Sequence, residues 1–70
     1  MKETIDIGGM SCQHCVRAVQ GALARIDGVV VHHVDIGSAI VERRDEVNPD
    51  RLREAIAEEG YVVTAVHSGE

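Results

Sequence analysis

The apolar positions of the chain follow two different spacings in turn. From Glu3 to Ile7 every second residue is apolar, which predicts a short strand with one buried side. From Cys15 the spacing becomes that of a helix, and Gly28 lies shortly after its end. Residues 10–14 are expected to form the connecting loop. The apolar stripe of the helix consists of Val16, Val19, Ala22, Leu23 and Ile26.

A β-hairpin is predicted in the middle of the chain. The β-branched run Val29–Ile36 indicates a second strand, Gly37-Ser38 a turn, and residues 39–43 a third strand whose buried face stays open. Strict alternation places His32 and His33 on opposite faces, so the two histidines are not expected to bind one ion together. We expect His32 to be partly buried and hydrogen-bonded.

A second helix and a fourth strand complete the pattern. Asn48-Pro49 is a typical helix start, because Asn caps the first turn and Pro suits the first helical position. Gly60 follows the helix, and residues 61–66 predict the last strand. Residues from His67 onward are expected to fray. The helix stripe consists of Leu52, Ala55 and Ile56, with Glu59 beside them.

The element order β-α-β-β-α-β is typical of the ferredoxin-like arrangement. We therefore predict an α+β fold in which two helices cover one face of a four-stranded antiparallel sheet. A chain of 70 residues is expected to form one domain, residues 1–70, with a small core. That core must be aliphatic, because the sequence contains no Trp or Phe and only one Tyr.

Charge and hydropathy exclude several classes of partner. The formal net charge is −5 and no basic run occurs, so nucleic acid is not expected to bind. No apolar run is long enough to span a membrane, and the N-terminus lacks the apolar stretch of a signal peptide. We therefore expect a cytoplasmic protein, in which thiols stay reduced.

Both cysteines lie in the stretch Gly9–Cys15, and they suit a soft metal ion. Thiolates select Cu(I) and zinc over harder ions. At a helix entry Cys12 and Cys15 have Cβ atoms about 5–6 Å apart, and two metal–sulfur bonds of about 2.3 Å can bridge their sulfurs. The helix N-terminus favours the thiolate form. With two sulfurs the site is open, unlike a four-ligand zinc site. The same pair also fits a small dithiol redox protein.

The stretch Gly9-Met10-Ser11-Cys12-Gln13-His14-Cys15 resembles the motif of the heavy-metal-associated domain family, in particular its stand-alone bacterial copper chaperones. The likeness continues through Gly28-Val29 and Glu59-Gly60-Tyr61. It implies a ferredoxin-like fold and Cu(I) held by the two cysteines, in a carrier that is not an enzyme. Family domains for zinc, cadmium or lead often have Asp where this chain has Ser11, which favours copper. A zinc or mercury carrier is the alternative.

The resemblance also implies partners. These are the metal-binding domains of a copper-transporting P-type ATPase and, as a further recipient, a copper-sensing repressor. The protein is expected to be monomeric without metal, and a metal-bridged dimer is left open.

Four more side chains near the motif have two interpretations each. His14 is either an auxiliary ligand or, as we favour, a solvated loop side chain. Met10 is expected to fill space beside the core rather than to bind metal. Tyr61 resembles a residue that shields the metal loop, and it also suits the edge of the core. Arg17 is either solvated or in contact with an acidic partner.

Overall fold

The computed structural model describes residues 2–68, which form one antiparallel sheet and two helices. The strand order is β2-β3-β1-β4, so the predicted ferredoxin-like α+β fold is confirmed. The elements are β1 (Lys2–Gly8), α1 (Gln13–Ala24), β2 (Val29–Asp35), β3 (Ser38–Arg43), α2 (Pro49–Glu58) and β4 (Val62–Ser68).

An aliphatic core lies between the helices and one face of the sheet. The sequence did not decide which face of β3 is buried. In the structure the buried face carries Ala39 and Val41, whereas Ile40 lies on the other face and is half-buried. The core residues of this cluster are Ile5, Ile7, Val19, Ala22, Leu23, Ile26, Val29, Ala39, Val41, Leu52, Ala55 and Ile56.

The second strand departs from the predicted alternation. Val31 pairs with Val41 and His33 pairs with Ile40, so His32 is the extra residue of a β-bulge. The bulge leaves both histidines exposed on the outer side of the sheet, and the prediction of opposite faces is wrong.

His32 is also more exposed than expected. Its side chain is 41% exposed rather than partly buried. The expected hydrogen bond is present, because His32 Nε2 lies 2.9 Å from Glu42 Oε1.

Side-chain hydrogen bonds occur at the start of α2 and near the end of β4. Asn48 caps α2 as predicted, because its Oδ1 accepts a hydrogen bond from the backbone N–H of Asp50 at 2.9 Å. The prediction that the chain frays from His67 onward is wrong, since His67 lies in β4 and pairs with Thr4 of β1. Its Nε2 lies 3.0 Å from Asp6 Oδ2. Of the segment expected to fray, residues 69–70 lie outside the described part.

A buried ion pair joins the start of β1 to the end of β3. Glu3 is 2% exposed and Arg43 is 8% exposed. Arg43 Nε and Nη2 donate to the two carboxylate oxygens of Glu3 at 3.0 and 2.8 Å, and its Nη1 donates to the carbonyl of Val47 at 2.6 Å. These bonds compensate for the loss of solvation of both charges.

Candidate metal centre

The motif loop begins where β1 ends. Gly9 has a φ of +93°, a conformation that side-chain-bearing residues rarely adopt. A Cβ at this position would lie 3.5 Å from Tyr61 Cδ1, so the loop passes close to the aromatic ring. Met10 is half-buried and packs against the core, as expected for a space-filling residue.

The two cysteines meet at the start of α1. The helix begins at Gln13, two residues earlier than its apolar spacing indicated, so Cys12 is the N-cap and Cys15 lies in the first turn. The backbone N–H of Cys15 donates to the carbonyl of Cys12 at 3.0 Å. The two Sγ atoms are 3.6 Å apart and both cysteines are free. This separation allows both sulfurs to bind one soft ion through bonds of about 2.3 Å.

The site is accessible from solvent. Cys12 is exposed and Cys15 is half-buried. A second protein can therefore reach the sulfur of Cys12 without a rearrangement of the loop. This geometry differs from that of a structural zinc site, which is closed by four ligands.

Hydrogen bonds favour the thiolate of Cys15. They lower its pKa from the ordinary 9.0 to about 6, through donors on the Ser11 backbone first, then the Tyr61 side chain and the Cys12 backbone. Cys15 is therefore mostly ionised at neutral pH. A thiolate is the form that binds metal.

Tyr61 is half-buried at the edge of the core, as one of its two interpretations expects. Hydrogen bonding between its side chain and Cys15 is the main reason that the pKa of the Tyr61 phenol is raised. The same interaction contributes to the lowered pKa of Cys15. A role of Tyr61 in shielding the metal loop stays a prediction.

The remaining candidates lie outside the sulfur pair. His14 is exposed in the first turn of α1, and Arg17 is exposed one turn further along. Within residues 2–68, no three or more His, Cys, Asp or Glu side chains are grouped so that they could hold a metal ion. A role of His14 as auxiliary ligand therefore stays a prediction. The sequence did not indicate Ser11 as a hydrogen-bond donor to Cys15, because its backbone and not its side chain makes this bond.

No helix within residues 2–68 combines the length and the apolar character needed to cross a bilayer.

The chain belongs to the heavy-metal-associated domain family, whose model matches residues 4–61. Among individual relatives, it is similar to the copper chaperone CopZ of Bacillus subtilis strain 168. The two are 37% identical over 65 residues, which cover 89% of this chain and 94% of the relative.

Solved structures show the same likeness. A structure titled CopZ metallochaperone has a TM-score of 0.81 and 36% identity, and the match covers 91% of this chain and 100% of that one. The N-terminal domain of a potential copper-translocating P-type ATPase from Bacillus subtilis, solved in the Cu(I)-loaded state, has a TM-score of 0.76 and 25% identity. Here the match covers 97% of this chain and 91% of that one. The sequence-based assignment to this family is thus confirmed.

Proposed function

We propose that this protein is a copper carrier which binds Cu(I) as cargo between Cys12 and Cys15 and passes it to another protein. It is a metal-binding module and not an enzyme, in agreement with its family and with relatives named as copper chaperones. The observation that carries the proposal is a pair of free sulfurs 3.6 Å apart on an accessible helix start.

The donor set supports a monovalent soft ion. Two thiolates satisfy Cu(I), which tolerates few ligands, whereas zinc prefers four. Ser11, which replaces the Asp often found in family domains for divalent metals, adds no carboxylate to the loop. The Cu(I)-loaded state of a structural neighbour also supports this oxidation state.

The recipient that we propose is the metal-binding domain of a copper-transporting P-type ATPase in the cytoplasm. The likeness to such a domain supports this, because two similar modules can present their cysteines to one ion in the same way. Transfer then proceeds through an intermediate in which sulfurs of both proteins hold the ion. A copper-sensing repressor as second recipient and a metal-bridged dimer remain predictions.

Metal titration tests the site. The reduced protein is titrated with Cu(I) without oxygen, against a competing chelator, and then with zinc. Cys12→Ser and Cys15→Ser are each expected to lose tight Cu(I) binding and to keep the fold, as measured by circular dichroism. His14→Ala serves as the control and should retain tight binding. Tight binding by the double cysteine variant would refute the proposal.

A dithiol redox protein is the second candidate. The short sulfur–sulfur distance and the lowered pKa of Cys15 both suit thiol–disulfide exchange. A disulfide-reduction assay separates the two functions. Catalytic turnover in a protein that does not bind Cu(I) tightly would favour the redox function.

A further inference from the structure

Three of the four histidines lie on the face of the sheet opposite the helices, which we call the outer face. They are His32 and His33 in β2 and His67 in β4, and all three are exposed. Each has a ring nitrogen within 4.0 Å of a carboxylate oxygen. Imidazole and carboxylate groups are typical ligands of zinc and similar divalent ions. The outer face therefore carries metal ligands of a kind that the cysteine pair lacks.

The bulge in β2 places two of these histidines on one side. In a regular strand adjacent residues point to opposite faces, which is why the spacing excluded one ion bound by both His32 and His33. The pairing of β2 with β3 makes His32 the extra residue between Val31 and His33, so both rings lie on the outer face. The reason for that exclusion therefore does not hold in the folded chain.

Glu42 of β3 is within reach of both rings. Its Oε1 lies 2.9 Å from His32 Nε2. Two ligands of a tetrahedral zinc ion are about 3.3 Å apart, because each bond is about 2.0–2.2 Å long, so this pair needs only a small separation. His33 pairs with Ile40, which makes Glu42 its diagonal neighbour on β3. Diagonal neighbours are about 7–8 Å apart, a distance that long side chains can bridge.

In the structure the donors of β2 form two separate pairs. His33 Nε2 lies 4.0 Å from Asp35 Oδ2, and Asp35 Oδ1 accepts a hydrogen bond from the backbone N–H of Ile36 at 2.8 Å. Among the described residues, no three such side chains already surround one point. The side chain of His33 is 64% exposed, so its ring can rotate toward Glu42 without leaving a packed environment.

The charge of the outer face favours a cation. Asp6, Asp35 and Glu42 contribute three carboxylates to this face. Lys2, which pairs with Glu42 in the register of β1 with β3, contributes one ammonium group. The excess of negative charge attracts a divalent ion.

We propose that His32, His33 and Glu42 form a second metal site, which binds a divalent ion of the zinc class on the outer face. Three protein ligands leave the fourth position of a tetrahedral zinc ion to water. The site shares no ligand with Cys12 and Cys15. It therefore goes beyond the proposed copper-carrier function, and either proposal can fail without the other.

Zinc titration tests the site in the 70-residue chain with C12S/C15S, which removes the sulfurs as competing ligands. Isothermal titration calorimetry should give one bound Zn²⁺ per chain. Loss of even an outer-shell partner weakens metal binding about 10–100-fold, so H32Q, H33Q and E42Q in this background should each weaken it at least about tenfold. Circular dichroism checks that each variant is folded.

H67Q is the matched control. His67 Nε2 lies 3.0 Å from Asp6 Oδ2, so it also forms a histidine–carboxylate pair, but its neighbours in the sequence are not histidines. This variant should bind Zn²⁺ as tightly as the C12S/C15S protein. Equal losses in H67Q and H33Q would mean that zinc binds at any histidine of the face, which overturns the inference. A loss in H32Q without one in H33Q, or no zinc binding at all, would also overturn it.

Two further measurements separate this site from the cysteine pair. In nuclear magnetic resonance spectra, Zn²⁺ should shift the ring-proton signals of His32 and His33 and leave those of His67 in place; the opposite pattern would refute the site. With both cysteines present, H32Q/H33Q should bind Cu(I) as tightly as wild type, and weaker binding would overturn a separate site. Zinc binding as expected in a protein that fails to bind Cu(I) would support this site and refute the carrier function alone.

Discussion

Cys15 has its lowered pKa because of neighbouring donors. The backbone of Ser11 and the side chain of Tyr61 are the two largest contributors, and both stabilise the thiolate. Sequence placed Tyr61 near the metal loop by resemblance, and the structure adds its hydrogen bond to the sulfur. The backbone donor on Ser11 has no side-chain signature, so no sequence pattern indicates it.

The substitution Tyr61→Phe tests this hydrogen bond. It should raise the pKa of Cys15 above about 6, toward 9.0, as measured by thiolate absorbance in the ultraviolet across pH. The thiol binds its proton more weakly in the folded than in the unfolded protein. The free energy of unfolding should therefore rise with pH between about 6 and 9.0 in wild type, and less in Tyr61→Phe.

A Cys12→Ser variant provides the control, because Cys15 keeps its hydrogen bonds to Ser11 and Tyr61 there. Its Cys15 should still titrate well below 9.0. An unchanged Cys15 titration in Tyr61→Phe would show that the phenol does not stabilise the thiolate.

At the scale of elements, residue spacing predicts most of what is seen. The apolar stripe of α1 and the Asn48-Pro49 start of α2 indicate both helices, because each signal is local in sequence. The bulge at His32 could not be predicted, since it depends on how β2 pairs with β3. Because of the one extra residue, Val34 packs against the core, a place that His33 would take in a regular strand.

Gly21 lies inside α1, where glycine is unfavourable. Gly21→Ala should raise the free energy of unfolding by roughly 0.8–1 kcal/mol, because a Cβ at this position meets only Arg25 at 4.0 Å. Urea denaturation measures the change. The opposite result is expected for Gly28→Ala, since Gly28 has a φ of +91° and its Cβ would lie 2.7 Å from Val47. A loss of stability in Gly21→Ala would contradict this assignment.

For the whole molecule, residue spacing predicts the order of the elements but not the charges in the interior. Alternation puts Glu3 on the same face as Ile5 and Ile7, and Arg43 on the face of Ala39 and Val41. The spacing left the buried face of β3 open, so it did not predict that Arg43 is buried. That the two would pair follows only from the antiparallel register of β1 with β3, in which Glu3 pairs with Val41.

This ion pair lies at the start of β1, whereas the cysteines follow the other end of the strand; Glu3 and Gly8 are about 17 Å apart at 3.3 Å per residue. Glu3→Gln removes the carboxylate that binds the buried Arg43 through two hydrogen bonds and should lower the free energy of unfolding by roughly 3–5 kcal/mol. Denaturation in urea measures the loss, and Cu(I) affinity of the folded variant should be unchanged.

Glu46→Gln is the matched control, because its partner Arg44 is exposed. That change should cost less than about 1 kcal/mol. Equal losses of unfolding free energy in Glu3→Gln and Glu46→Gln would contradict the prediction that the buried Glu3–Arg43 pair stabilises the fold more than an exposed pair.

The irregularity of β2 has a consequence at the margin of the sheet. β2 is an edge strand of the sheet. Beyond Val31 its extra residue displaces the backbone N–H and C=O groups from the positions that they would have in a regular strand. The backbone N–H and C=O groups of an added strand would not align with those of β2 there, so this edge is a poor template for a fifth strand. Many copies can thus accumulate side by side without growing into a continuous sheet from this edge.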